Sequence, residues 1–122
     1  MAGLTQALQQ TALDYLFPTT GGTDYIAYSA NGTSETANLA RTAVGATGWA
    51  SATAATPSVK ANANVLTSAA ASGAVTVTHA CIYSASTDGT QRTDWQALGT
   101  SRTLAIGDKL EFAAAAFAIT LD

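Results

Sequence analysis

The stretch that decides the fold runs Ala74-Val75-Thr76-Val77-Thr78-His79-Ala80-Cys81-Ile82-Tyr83. In an extended backbone, successive side chains point to opposite faces. One face of this stretch would carry Val75, Val77, His79, Cys81 and Tyr83, and the other would carry Thr76, Thr78, Ala80 and Ile82. This period-two pattern predicts a strand with one face better buried than the other.

Four more short segments with β character follow, and turns that contain Gly or Asp separate them. These segments are Arg92 to Leu98 around Trp95, Thr103 to Ile106, Lys109 to Phe112, and Phe117 to Leu121. Five such segments within about fifty residues are typical of a sandwich or barrel and not of a βαβ unit. The C-terminal half is therefore predicted to be all β.

The N-terminal half begins with a predicted helix from Leu4 to Phe17, which Pro18 ends. Its apolar side chains recur at helical spacing, and we select four of them as candidate assembly or docking residues: Leu4, Leu8, Tyr15 and Leu16. Strands are then predicted from Asp24 to Ser29, from Arg41 to Gly45 and from Ser58 to Thr67. Residues 35–40 fit either a helical turn or a loop.

Length and composition fit one domain with a modest core, because 122 residues are too few for two ordinary domains. The predicted class is all-β: a single β-sandwich or jelly-roll-like domain of seven to nine strands over residues 24–122, with one helix in residues 1–17. Only 11% of the residues are charged, about half the usual share. A surface so poor in charge is suited to lying against other proteins, and we expect a homo-oligomer.

The charge pattern also limits the partners. A net charge of −3 and five scattered basic residues argue against nucleic acid, which requires clustered Lys and Arg. No apolar run reaches the ~20 residues that span a bilayer, and the N-terminus does not resemble a signal peptide. We therefore expect a protein that is made in a cytoplasm and contacts neither nucleic acid nor membrane.

Catalytic chemistry is not indicated, and no cofactor or metal site is predicted. His79 is the one histidine and Cys81 the one cysteine, and both are expected to pack within a strand. Four acidic residues lie in or beside turns and keep a hydrolase hypothesis open: Asp88, Asp94, Asp108 and Glu111. Turn geometry explains Asp88-Gly89 and Gly107-Asp108 without catalysis, so we expect a protein that is not an enzyme.

Several segments resemble one known family. They are the strand that ends at Tyr83, Asp94-Trp95-Gln96-Ala97-Leu98, Arg102 to Ala114, Ile119 to Asp122 and, more loosely, Tyr25 to Ser29 and Arg41 to Val44. In these residues the chain resembles small virion proteins of tailed phages, which are labelled tail fibre, minor tail or head decoration proteins. The resemblance implies a virion location, assembly in the bacterial host cytoplasm, and phage major capsid or tail proteins as partners.

Two functional hypotheses follow from the residues and the resemblance together. Decoration of the capsid lattice is slightly preferred, because one compact domain can cap a lattice position but cannot form a long fibre by itself. The alternative is a tail or tail-fibre component that binds a host receptor or glycan. In that alternative an exposed Trp49, or loop residues Ala46 to Thr56, would contact the host surface.

Overall fold

A computed structural model of the chain describes residues 5–53 and 58–121, with the backbone alone described at residue 121. The elements are one helix and eight strands: α1 (Gln6–Leu16), β1 (Tyr25–Ser29), β2 (Thr42–Ala43), β3 (Ser58–Ala61), β4 (Leu66–Thr67), β5 (Val75–Tyr83), β6 (Gln96–Leu104), β7 (Glu111–Phe112) and β8 (Ala118–Leu121). The helix begins where the Thr5 side chain accepts a hydrogen bond from the Leu8 N–H, as an N-cap residue does. It ends just before Pro18, as predicted.

These elements belong to two compact units that alternate along the chain. The helix unit contains Met1–Gly22, Val44–Leu66 and Phe112–Asp122, and the sheet unit contains Thr23–Ala43 and Thr67–Glu111. Strands β4 and β7 form a two-stranded ribbon. That residues 1–122 make a single domain stays a prediction.

The sheet unit is built on a four-stranded antiparallel sheet in the order β2-β1-β5-β6. Strand β1 pairs with β5 along its whole length, from Tyr25 opposite Tyr83 to Ser29 opposite His79. The central strands supply the fully buried side chains of this unit, among them Ile26, Tyr28, Val77 and Ile82. Apolar burial by two adjacent strands is thus the main stabilising interaction of the sheet.

Strand β5 follows the predicted alternation only in its first half. Val75 and Val77 are buried and Thr76 is exposed, but Ala80, Cys81 and Ile82 are all buried. In an extended strand Ala80 and Ile82 point to one face and Cys81 to the other, so both faces of β5 are buried beyond His79. The expectation of one well-buried face is therefore wrong beyond Val77.

Strand β6 corrects a second expectation, since one strand replaces the predicted pair at Arg92 to Leu98 and Thr103 to Ile106. Ala97 lies opposite His79 and Arg102 lies opposite Val77, so β6 advances five residues while β5 advances two. A bulge absorbs the extra residues around Gly99. This explains why a segment that looked like a break between strands lies inside one.

The helix unit pairs β3 with β8 in antiparallel register, from Ser58 opposite Leu121 to Ala61 opposite Ala118. The predicted strand Ser58 to Thr67 is interrupted after Ala61 by Asn62, which is 1% exposed. The Asn62 amide donates to the carbonyl oxygens of Asn64 and Ala113, and its Oδ1 accepts from the Phe117 N–H. Because of these side-chain hydrogen bonds, the backbone at Asn62 does not continue the β ladder.

An aromatic cluster fills the core of the helix unit. The Trp49 ring lies 5.4 Å from the Phe17 ring and 6.3 Å from the Phe117 ring, measured between centroids, and Phe112 packs against Phe117. Trp49 is only 2% exposed. The expectation of an exposed Trp49 that contacts a host surface is therefore wrong, because the indole is taken up by packing with other aromatic rings.

The predicted fold class is confirmed: the chain is mainly antiparallel β structure with one N-terminal helix. Eight strands among the described residues fall within the predicted seven to nine. Within the described part of the chain, no helix is long and apolar enough to span a membrane.

Candidate docking helix and binding pocket

Helix α1 is attached to its unit through polar side chains. Gln9 is 4% exposed, and its Oε1 accepts hydrogen bonds from the Ser58 N–H and hydroxyl, each at 3.1 Å. The Gln10 amide donates to the Ala52 carbonyl at 3.2 Å. Leu13 packs beside them at 2% exposure. The inner side of this helix therefore combines one buried leucine with several hydrogen bonds.

An ion pair completes the inner side of the helix. Lys60 is fully buried on β3, and its Nζ donates to Asp14 Oδ1 at 2.6 Å. The same oxygen accepts from the Ala52 N–H at 2.9 Å. Partial desolvation raises the pKa of the Asp14 carboxyl, but the bonds from Lys60 and Ala52 and the charge of Lys60 outweigh it, so this pKa is lowered overall.

The outer side of α1 is apolar and exposed. Leu8 is 54% exposed, Tyr15 84% and Leu16 46%. At 100° per residue these three side chains and the half-buried Ala12 form a stripe about 100° wide. We call this set the outer stripe: Leu8, Ala12, Tyr15 and Leu16. A helix of a monomeric domain normally buries such a stripe, so α1 is inverted with respect to the usual pattern.

The predicted docking residues are thus brought together, with one exception. Leu8, Tyr15 and Leu16 share the outer stripe, while Leu4 lies outside the described residues. Sequence reasoning missed the inner contacts of Gln9 and Asp14. The Asp14–Lys60 ion pair could have been predicted, because Lys60 is the one cation of an otherwise uncharged strand and Asp14 is the one charged residue of α1.

The sheet unit holds an arginine, Arg41, whose side chain donates four hydrogen bonds. Arg41 Nε and Nη2 each donate to a Glu35 carboxylate oxygen at 2.8 Å, and Nη1 donates to the Ala85 and Asp88 carbonyl oxygens, also at 2.8 Å. The guanidinium carbon lies 3.9 Å from the centroid of the Tyr83 ring. The bonds to Glu35 raise the pKa of Arg41 and keep it charged. Arg41 therefore fixes the loop after Tyr83.

That loop is also fixed from within. Ser84 N–H donates to the Thr90 carbonyl at 3.0 Å, and Thr90 N–H donates to the Ser84 hydroxyl at 2.9 Å. Asp88 and Gly89 both have positive φ, 53° and 74°. A Cβ at Gly89 would come within 2.8 Å of Ser84 Oγ, so the turn requires glycine there.

An open pocket of about 490 Å³ lies between this loop and Arg41. It is lined by Glu35, Ala40, Arg41, Tyr83, Ser86, Thr87, Asp88 and Gly89. Ser86, Thr87 and Asp88 are exposed. The pocket thus combines an aromatic ring, two hydroxyls and carboxylates, which are groups that bind polyhydroxylated molecules. Asp88 was predicted to be a turn residue, and the sequence contains no local signal for the pocket.

Two other residues of the hydrolase hypothesis, Asp108 and Glu111, make separate local contacts. Asp108 Oδ2 accepts from the Ala105 N–H at 2.9 Å, and Glu111 accepts from the Thr67 hydroxyl at 3.5 Å. No cluster of three His, Cys, Asp or Glu side chains suited to a metal ion occurs among the described residues. Cys81 is buried, which raises the pKa of its thiol to about 12.

Comparison with known proteins places the chain in a family. A comparison with curated proteins found no match. The family model described as podophage GP4 fiber I protein gp80 matches residues 4–120, which is nearly the whole chain and includes both α1 and the β structure. The phage resemblance that the sequence indicated is thereby confirmed. The chain belongs to the podophage GP4 fiber I protein gp80 family and is a structural component of a tailed-phage virion.

Proposed function

We propose that the chain is a non-enzymatic component of a virion fibre and not a capsid decoration protein. The observation that carries this proposal is the match of a fibre-protein family model over residues 4–120. The outward apolar stripe of α1 supports it, because a fibre component has to be held by its neighbours and exposed apolar side chains mark such contacts. The earlier preference for capsid decoration rested on size alone.

In this function the two units have different tasks. The outer stripe of the helix unit, with Leu8, Tyr15 and Leu16, attaches the chain within the virion, to other copies or to a tail or capsid protein. Leu4 is the fourth candidate for this contact. Low charge over the chain, 11% of residues, suits a part whose surface is largely covered by neighbours.

The proposal is tested by locating the chain on purified particles and counting its copies. Antibody-gold labelling gives the position, and quantitative mass spectrometry gives the copy number. We expect a few copies to a few dozen, labelled on fibres or at the tail. Hundreds of copies spread over the head would contradict the fibre assignment and favour the capsid decoration hypothesis. Absence from the particle would contradict both hypotheses.

We propose host-glycan contact through the sheet-unit pocket as a second function. Tyr83 and the Asp88 carboxylate lie in one preformed pocket whose loop is fixed by Arg41. A rigid loop loses little entropy on binding, which favours affinity for a weak ligand such as a sugar. Several copies on one particle would multiply that weak contact.

Binding of the full chain to host cells tests this second function. Asp88→Asn keeps a residue that tolerates positive φ but removes the charge, and we expect binding to fall by roughly 10- to 150-fold, since a charged hydrogen bond contributes about 1.5–3 kcal/mol. Thr100→Ala on exposed β6 is the matched control. Equal binding by the wild type and Asp88→Asn would contradict a role for this pocket.

A further inference from the structure

We infer that the outer stripe of α1 packs against the same stripe on other copies of this chain, so that helices from several copies form the centre of a homo-oligomer. The inference rests on the proposed fibre function for its biological setting, and it names the partner of the docking surface. The stripe is defined by Leu8, Ala12, Tyr15 and Leu16, three of which are 46–84% exposed.

The spacing of the stripe is that of a helix-bundle seam. Leu8 and Tyr15 are seven residues apart, so they lie almost directly above one another, with a drift of only about 20°. Ala12 lies between them and is small, which lets a neighbouring helix approach closely. Large apolar side chains at seven-residue spacing are what bundled helices place along their common seam.

The distribution of charge favours a second copy as the occupant. Side chains that lie near the axis of a symmetric contact meet their own counterparts, so a charge at that place would repel its copies. Asp14 is the only charged residue of α1, and it is turned inward to Lys60. The outer stripe is therefore free of charge, as self-association requires, whereas a partner chosen by electrostatic complementarity would need charges there.

The length of the helix indicates how the copies are arranged. Eleven residues give a helix about 16 Å long, and a pair of such helices buries far less than the ~800 Å² per partner of a standard interface. Two copies would therefore associate weakly. Three or more helices around one axis give each copy two neighbours and a closed, stronger assembly.

The test is the mass of the purified full-length chain, measured by size-exclusion chromatography with light scattering over a concentration series. We expect a closed oligomer whose mass is a multiple of 12.3 kDa. The double variant Leu8→Gln/Tyr15→Gln keeps helix-forming residues but removes the apolar seam, and its mass should fall to that of a monomer. Ile106→Gln is the matched control, because Ile106 is 73% exposed in the sheet unit and should not affect the mass.

A wild-type chain that stays monomeric at every concentration would overturn the inference and assign the stripe to a different virion protein. An unchanged oligomer in the double variant would overturn it as well. If the double variant loses its circular dichroism signal, Leu8→Cys or Tyr15→Cys in a Cys81→Ser background replaces it. Oxidation should then give covalent dimers from at least one stripe cysteine and none from Thr100→Cys, and the opposite result would overturn the inference.

The mass measurement needs no particle, so this inference and the fibre assignment can fail separately. If the chain is monomeric in solution and antibody-gold labels it on fibres, only the contact between outer stripes is contradicted. If the wild type is an oligomer, the double variant is a monomer and antibody-gold labels the head, only the fibre assignment is contradicted.

Discussion

The contact between α1 and β3 and the contact between β1 and β5 are stabilised in opposite ways. The helix is attached through Gln9 and Asp14, which bond to Ser58 and Lys60. The two central strands bury apolar side chains such as Ile82, in addition to their backbone ladder. Only the helix leaves most of its large apolar side chains, Leu8, Tyr15 and Leu16, exposed.

The difference teaches how this chain can present an apolar surface while remaining folded. A helix attached by hydrogen bonds, an ion pair and one buried leucine does not need Leu8, Tyr15 and Leu16 for its own packing. Those side chains are then available for another molecule. The first three predictions below compare the two kinds of contact, beginning with the largest expected effect.

Loss of apolar volume in the central strands should have the largest effect. Ile82 is fully buried, so Ile82→Ala removes apolar contacts and leaves a cavity, which costs about 4 kcal/mol of unfolding free energy. Urea unfolding followed by circular dichroism measures this. A loss below about 1 kcal/mol would show that the sheet core collapses around the gap or is not packed as described.

Loss of the polar attachment of α1 should cost less. Gln9→Leu keeps the volume but leaves the buried Ser58 N–H and hydroxyl without their acceptor, at a cost of about 2 kcal/mol. Thr11→Gln, at an exposed position of α1 outside the outer stripe, is the control and should change stability by less than about 0.5 kcal/mol. Equal effects of the two variants would mean that the inner face of α1 is assigned wrongly.

The pH dependence of stability gives a smaller and more specific signal. The pKa of Asp14 is lowered below its ordinary value of 3.8 in the folded chain, so the unfolded state binds its proton first as the pH falls. The contribution of Asp14 is therefore complete above the ordinary pKa and is lost as the pH falls through the lower, folded-state pKa. Urea midpoints measured from neutral to acid pH should fall more steeply for the wild type than for Asp14→Asn. Parallel curves would contradict this assignment.

The sequence was sufficient for α1 and for the first half of β5, but not for the ends of β3 and β6, which depend on contacts between distant segments. Helical spacing with a following proline predicted α1, and alternation predicted the first half of β5, because both patterns are local. The bulge between β5 and β6 and the interruption at Asn62 were missed, since they depend on pairing with distant segments.

For the candidate sites too, features set by local spacing were predicted and features set by distant contacts were missed. Leu8, Tyr15 and Leu16 were selected from their apolar spacing alone, yet that spacing could not say which side of the helix faces inward. The host-binding alternative placed Trp49 on the surface, whereas the rings that bury it come from distant positions in the chain, which no local pattern shows. The Arg41 pocket was missed because it joins Glu35 to the loop at Asp88, more than fifty residues away.

A double-mutant cycle on Asp14 and Lys60 tests most directly the claim that α1 is attached by its polar side. Asp14→Ala leaves the fully buried Lys60 charge without its partner, and we predict a loss of about 3 kcal/mol of unfolding free energy. Asp14→Ala/Lys60→Met removes both charges and should recover most of that loss, because an apolar pair tolerates burial. Strictly additive losses would show that the two side chains do not interact and would contradict the inverted orientation of the helix.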